Sequence, residues 1–182
     1  MTAATERRSF DSRRVFRLHA MFRREVGRGA GLVRAVAAGD RAHAQVVAER
    51  VRLVDNAVYR HNCAEDAVLW PKLVSDKPSE ADIMVDVMHR QHRALDAMSL
   101  GVQAAILAWE DDPSEDRREM LAEALDRIGG ALGEHICATE LFLVPLLERF
   151  LCAGDWRDVI HRGIADCDLE TGVALADLIR LA

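Results

Sequence analysis

Between about Asp40 and Lys72 the inward positions of this chain run Val47, Val51, Val54, Val58, His61, Glu65 and Val68. The steps alternate four and three, which is the seam of a helix packed in a bundle. Three other stretches carry a similar stripe. A first helix is predicted from Asp11 or Ser12, either of which suits an N-cap, to about Ala38 on Val15, His19, Phe22, Val26 and Val33. A third runs from about Glu80 to Glu110 on Val85, Met88, His92, Leu95, Val102, Ile106 and Trp109. A fourth runs from about Pro113 to Phe150 on Leu121, Leu125, Ile128, Leu132, His135, Thr139, Phe142 and Leu146. Trp70 precedes Pro71 and is pushed away from α geometry, so the second helix is predicted to end there.

The turns are legible too. Gly39-Asp40, SDKPS over residues 75–79 and EDDPSED over 110–116 break the periodicity. Residues 1–11 have none and read as a loose tail. A short fifth helix is predicted near Asp155, and an amphipathic tail from about Leu169 to Leu181. Four long helices joined by short turns predict an all-α fold: an up-down-up-down four-helix bundle over residues 12–150, with a short C-terminal helical extension over 151–182.

Composition agrees with helix and narrows the function. Half the residues are hydrophobic, yet only 5% are aromatic, and the length of 182 residues suits one domain with a real core. A net charge of −6 argues against a nucleic-acid partner. No unbroken apolar run reaches the roughly 18–20 residues that span a bilayer, and the N-terminus lacks an apolar signal region, so a cytoplasmic protein with no membrane partner is expected. Cys63, Cys137, Cys152 and Cys167 form no CxxC pair and read as reduced, buried thiols.

The chemistry lies in the stripes. HNCAEDAVLWP (61–71) returns as HICATELFLVP (135–145), with His61 over His135, Asp66 over Glu140 and Pro71 over Pro145. His61 and Glu65 are four apart, about 40° round a helix, and able to hold one metal. His19, His61, His92 and His135 each occupy a core register on a different predicted helix. Four unpaired imidazoles and buried carboxylates are costly to desolvate, and a metal ion removes that cost. Without a thiolate cluster, imidazole with carboxylate suits iron, manganese or zinc. So many ligands exceed the needs of one ion and fit a dinuclear centre bridged by carboxylates. Asp66 is an alternative to Glu65, which wheel geometry favours. His43 reads as exposed, and His161 as structural or exposed.

These elements resemble the haemerythrin family, the haemerythrin/HHE cation-binding domain. Its pattern is a lone His on helix 1, HxxxE on helix 2, HxxxH on helix 3 and HxxxxD or HxxxxE on helix 4. This chain offers His19, then His61 with Glu65, then His92, then His135 with Glu140, across roughly residues 12–150. The departure is on helix 3, where Met88 stands at the first histidine position and His89 is its neighbour. His89 is read as a substitute ligand, an acid–base group behind the ligands or a surface residue. Glu140 lies five residues after His135, about 140° round an ideal helix, so a non-α turn between residues 135 and 145, aided by Pro145, is expected.

The resemblance implies two iron ions, oxo- or hydroxo-bridged, held by His19, His61, Glu65, His92, His135 and Glu140, with His89 as the further candidate. It implies binding of dioxygen, nitric oxide or peroxide inside walls such as Phe22, Val58, Leu95, Ile128 and Leu132. A di-iron oxidase, oxygenase or catalase-like enzyme acting on a small-molecule substrate is the alternative, and an iron-handling or stress-response role the second. Tyr59 stays open as a residue near the pocket.

Overall fold

The structure, a computed structural model, describes residues 10–75 and 79–164. Most of the expected N-terminal tail, the centre of the SDKPS loop, Cys167 and the tail over 169–181 lie outside the described residues. Regular structure within them is helical: α1 (Arg13–Arg34), α2 (Arg41–Ala64), a π-helical turn (Glu65–Leu69), α3 (Trp70–Ser75), α4 (Ser79–Asp111), α5 (Glu115–Ala138), a second π-helical turn (Thr139–Leu143), α6 (Val144–Phe150) and α7 (Ala153–Ile164).

The ends follow local chemistry. The Asp11 carboxylate accepts from the Arg13 backbone N–H at 3.3 Å, while the Ser12 side chain reaches across to Glu148. Helix α1 stops at Arg34, four residues before the expected Ala38, and the chain turns at Gly39, whose φ of 82° suits a residue without Cβ. Asp40 caps α2 by accepting from the His43 N–H at 3.0 Å. The Gly39 N–H donates to the Pro113 carbonyl at 2.9 Å, tying two turns at one end of the molecule.

Helix α1 packs on α2 and α5, and α4 packs on the same two, so four helices close a ring. The stripes read from sequence fill most of it, with Val33, Val102, Ile106 and Leu121 fully enclosed. Phe142, expected on the fourth stripe, is instead 51% exposed, because the second π turn shifts the register by one residue and turns Leu143 inward. At roughly 25 cal/mol per Å² of apolar surface, each such side chain contributes about 1.5–3 kcal/mol to burial. Helix α7 lies against α2 and the first π turn. Its buried Trp156 packs edge-on against Phe10, and Lys72 bonds Asp155 at 2.6 Å and Asp158 at 2.9 Å.

Two further expectations are corrected. The second helix does not end at Trp70. It passes through Pro71 to Ser75 because the π turn makes room: the Trp70 N–H reaches back five residues to the Glu65 carbonyl. In a regular α turn the proline ring would press on the carbonyl four residues back, and the wider turn relieves this. The Val144 N–H likewise reaches Thr139 ahead of Pro145, so the expected non-α turn is present. The described cysteines are free but not buried, Cys137 being exposed and Cys63 and Cys152 half-buried. Separately, the stretch Glu115–Phe150 contains a window of mean hydropathy 1.3, enough by length and composition alone to cross a bilayer, although its unbroken apolar runs are short. That is a weak sign, since the core helix of a soluble protein passes the same test, and here the stripe from Leu121 to His135 faces the core.

Candidate metal centre

Four helices each bring one histidine to the same level of the ring. His19, His61, His92 and His135 are all buried, and between them lies Glu65, 1% exposed. The helical step of four carries Glu65 back over His61, with Oε1 3.2 Å from His61 Nε2. Its other oxygen, Oε2, lies 3.5 Å from His92 Nε2, and His92 Nε2 lies 3.3 Å from His135 Nε2. The donor atoms form two groups, His19–His61–Glu65 and Glu65–His92–His135, each with its ligand atoms within 4.8 Å of one another. Glu65 belongs to both.

The outer ring nitrogens explain how the inner ones are aimed. His92 Nδ1 lies 2.8 Å from Asp66, His19 Nδ1 3.1 Å from Glu140 and His135 Nδ1 3.1 Å from Gln91 Oε1. An acceptor at Nδ1 holds the proton there and leaves the Nε2 lone pair pointing inward. Asp66 and Glu140, equivalent in the internal repeat, thus do equivalent work: each serves a histidine on another helix. The repeat breaks at the position before them. Where the first copy has Glu65, the second has Thr139, whose hydroxyl lies 3.0 Å from the His135 carbonyl and 3.3 Å from Met88 Sδ. Met88 itself is fully buried.

This donor set fits metal ions. His19 Nε2, His61 Nε2 and both Glu65 oxygens are buried with no hydrogen-bond partner, although Glu65 lies near His61 and His92. Each such atom costs roughly 1–3 kcal/mol when left unpaired, and cations between the two groups would satisfy all four. Protonation tells the same story. Burial, then the neighbouring His61, lowers His19 to about 4. Burial lowers His135 to about 3. For His92 burial pulls downward too, but Asp66 and Glu65 together outweigh it and raise the imidazole to about 9. Burial opposes the charge on Glu65, yet His61 and His92 hold its carboxyl well below the usual range. A proton on His92 therefore stands in the metal-free protein where a cation's charge would otherwise balance Glu65.

Of the seven candidates named from sequence, His19, His61, Glu65, His92 and His135 converge. Glu140 and His89 stand outside the two groups. The Glu140 carboxylate is gripped by Arg23 at 2.8 and 3.0 Å while it meets His19. His89 is about one-third exposed, with Nε2 3.4 Å from Asp66. Tyr59 is exposed in an outer cleft between α2 and α4, His43 is exposed as expected, and His161 is exposed, the second of its two readings. Sequence reading missed two neighbours. Trp70 stacks on His92 with ring centroids 6.4 Å apart, a placement that depends on the unforeseen π turn. Gln91 gave no signal beyond its place beside His92. Asp66 had one, its register with Glu140, but was weighed only as a ligand.

The surrounding walls are apolar. Phe22 tilts against His61 at 5.3 Å between centroids, and Val58, Leu95, Ile128 and Leu132 are all buried. Comparison with known proteins found no matching curated protein and no matching solved structure. It did find a family. Residues 13–147, the stretch that holds every one of these side chains, match the Hemerythrin HHE cation binding domain, and the chain belongs to that cation-binding family.

Proposed function

We propose that the chain is a cytoplasmic non-haem di-iron protein that binds dioxygen or a related small ligand, nitric oxide or peroxide, in the haemerythrin up-down-up-down bundle. The observation that carries the reading is the sharing of one buried carboxylate, Glu65, by two three-residue donor groups. Imidazole and carboxylate donors without thiolate suit iron. Two irons, oxo- or hydroxo-bridged, would be held by His19 and His61 on one side and His92 and His135 on the other, with Glu65 between. Such a pair, when bound, would supply reversible electron transfer to a small oxidant.

The chain's own residues do the rest. Asp66, Glu140 and Gln91 orient the imidazoles. Phe22, Val58 and Leu132 exclude water, which keeps the site's charges strongly coupled. Three donors per ion leave room for an exogenous ligand. The seven-residue set that includes Glu140 and His89 requires Glu140 to leave Arg23 and His89 to turn inward. Free Cys63, Cys137 and Cys152 suit a reducing cytoplasm.

A second reading, a di-iron oxidase, oxygenase or peroxide-decomposing enzyme, is favoured by Met88. A buried thioether stands there in place of an imidazole, which would leave one ion more open to chemistry. Metal analysis of protein purified without added metal tests the common ground. About two irons per chain are expected, with both lost in Glu65→Ala; one zinc or no metal refutes the reading. A charge-transfer band that forms with oxygen and reverses under vacuum supports binding, and rapid peroxide turnover supports the enzyme.

A further inference from the structure

Along the bundle from the histidines, the side chains of α1, α2 and α5 fall into layers. His19, His61 and His135 share a level; Phe22, Val58 and Leu132 come next; Val26, Val54 and Ile128 follow. Beyond Phe22 these helices surround a cavity of about 30 Å³ whose walls include Val26, Gly29, Val54, Val58, Ile128 and Leu132. The void has a cause in sequence. The apolar side chains that helix α2 supplies, Val51, Val54 and Val58, are too short to cross the ring, and α1 supplies Gly29. A Cβ built at Gly29 would approach Leu125 no closer than 3.5 Å, an ordinary contact, so nothing crowds that wall.

The chemistry of the walls selects the occupant. A buried water needs two to four polar partners. The polar groups at the cavity are already engaged: Glu25 pairs with Arg50 at 2.5 Å, and Asp55 accepts from Ser99 at 2.8 Å and from Gln103. What remains is a small space bounded by methyl groups. Exposed Leu32 and Arg50 are among its lining residues. At its other end Val58 and Leu132 lie one helical turn, about 5 Å of rise, from His61 and His135. Phe22 fills that layer with its ring against His61.

We propose that this cavity binds a single apolar gas molecule and passes it to the metal centre by way of Phe22. Occupancy of the cavity stands on its walls alone; delivery rests on the function proposed above. The occupant is set by size and lack of polarity, so dioxygen, nitric oxide and xenon are equivalent to it.

The test uses the metal-loaded protein. Crystals pressurised with xenon should show density among Val54, Ile128 and Gly29. Val54→Phe fills the space from α2 and Gly29→Val fills it from α1, with melting curves as the check that each variant folds. Both should lose the xenon density, and in stopped flow nitric oxide should reach the metals about tenfold more slowly, with bound metal unchanged. No xenon in the parent protein overturns the binding site. Parent rates of nitric oxide binding in both filled variants overturn delivery. A parent protein that holds no metal refutes the proposed function and delivery together, and xenon occupancy then still decides the binding site.

Discussion

Asp66 offers a test in which proton and metal compete for one nitrogen. Its carboxylate lies 2.8 Å from His92 Nδ1 and contributes, with Glu65, to raising that imidazole to about 9 against the pull of burial. At pH 7 a metal arriving at His92 must therefore displace a proton held about two pH units too tightly, which costs roughly 3 kcal/mol, or about a hundredfold in apparent affinity. Apparent affinity at this ion should rise about tenfold per pH unit up to about pH 9 and then level. Asp66→Asn removes the charge and keeps the shape. It eases proton competition, so the rise should level nearer pH 7. It also weakens the imidazole as a ligand, by about tenfold, the low end for such a partner because Asp66 is partly exposed. The variant should bind distinctly worse at pH 9.5 and close to the parent at pH 7. Iron(II) titration against a competing chelator, under anaerobic conditions and across pH, reads both curves. Parallel parent and variant curves, at any separation, would falsify the assignment of Asp66 as the group that sets the His92 proton.

Glu140→Gln should keep both ions, because the amide oxygen still serves His19, and lower affinity at one of them by about tenfold; chelator competition that instead finds one ion gone makes Glu140 a direct ligand. The metal-free protein should be most stable at about pH 7. Below that, the unfolded chain takes up protons that buried His19 and His135 refuse until about 4 and about 3, so stability falls with falling pH, by on the order of 5 kcal/mol at pH 4.5. Above it, His92 loses its extra proton as pH rises through about 9, and its contribution goes with it; a melting temperature flat from pH 4.5 to 7 would count against the buried neutral imidazoles. Asp40→Ala removes the cap on α2 and should cost about 1 kcal/mol in urea unfolding, with metal content unchanged.

Much of this was legible in the chain. Alternating steps of three and four located the long helices, and an imidazole on each stripe identified the helices that would meet. His61 and Glu65 could be paired from the four-residue step, since local helix geometry fixes that relation. Pro145, together with the awkward five-residue spacing to Glu140, even announced a non-α turn between residues 135 and 145.

What the one-dimensional pattern left open were matters of a single residue. A π turn inserts one residue and rotates everything after it by about 100°. That shift lets the second helix run through Pro71 and lays Trp70 against His92. Which carboxylate faces the shared point depended on partners from distant helices: His92 takes Asp66, while Arg23 and His19 hold Glu140. The exposure of Cys137 and the void beside Gly29 were likewise settled by how four helices meet. Periodicity determines which face of a helix turns inward, because it is a property of one segment. Only the assembled ring decides what each inward atom touches, because those contacts join residues far apart in the chain.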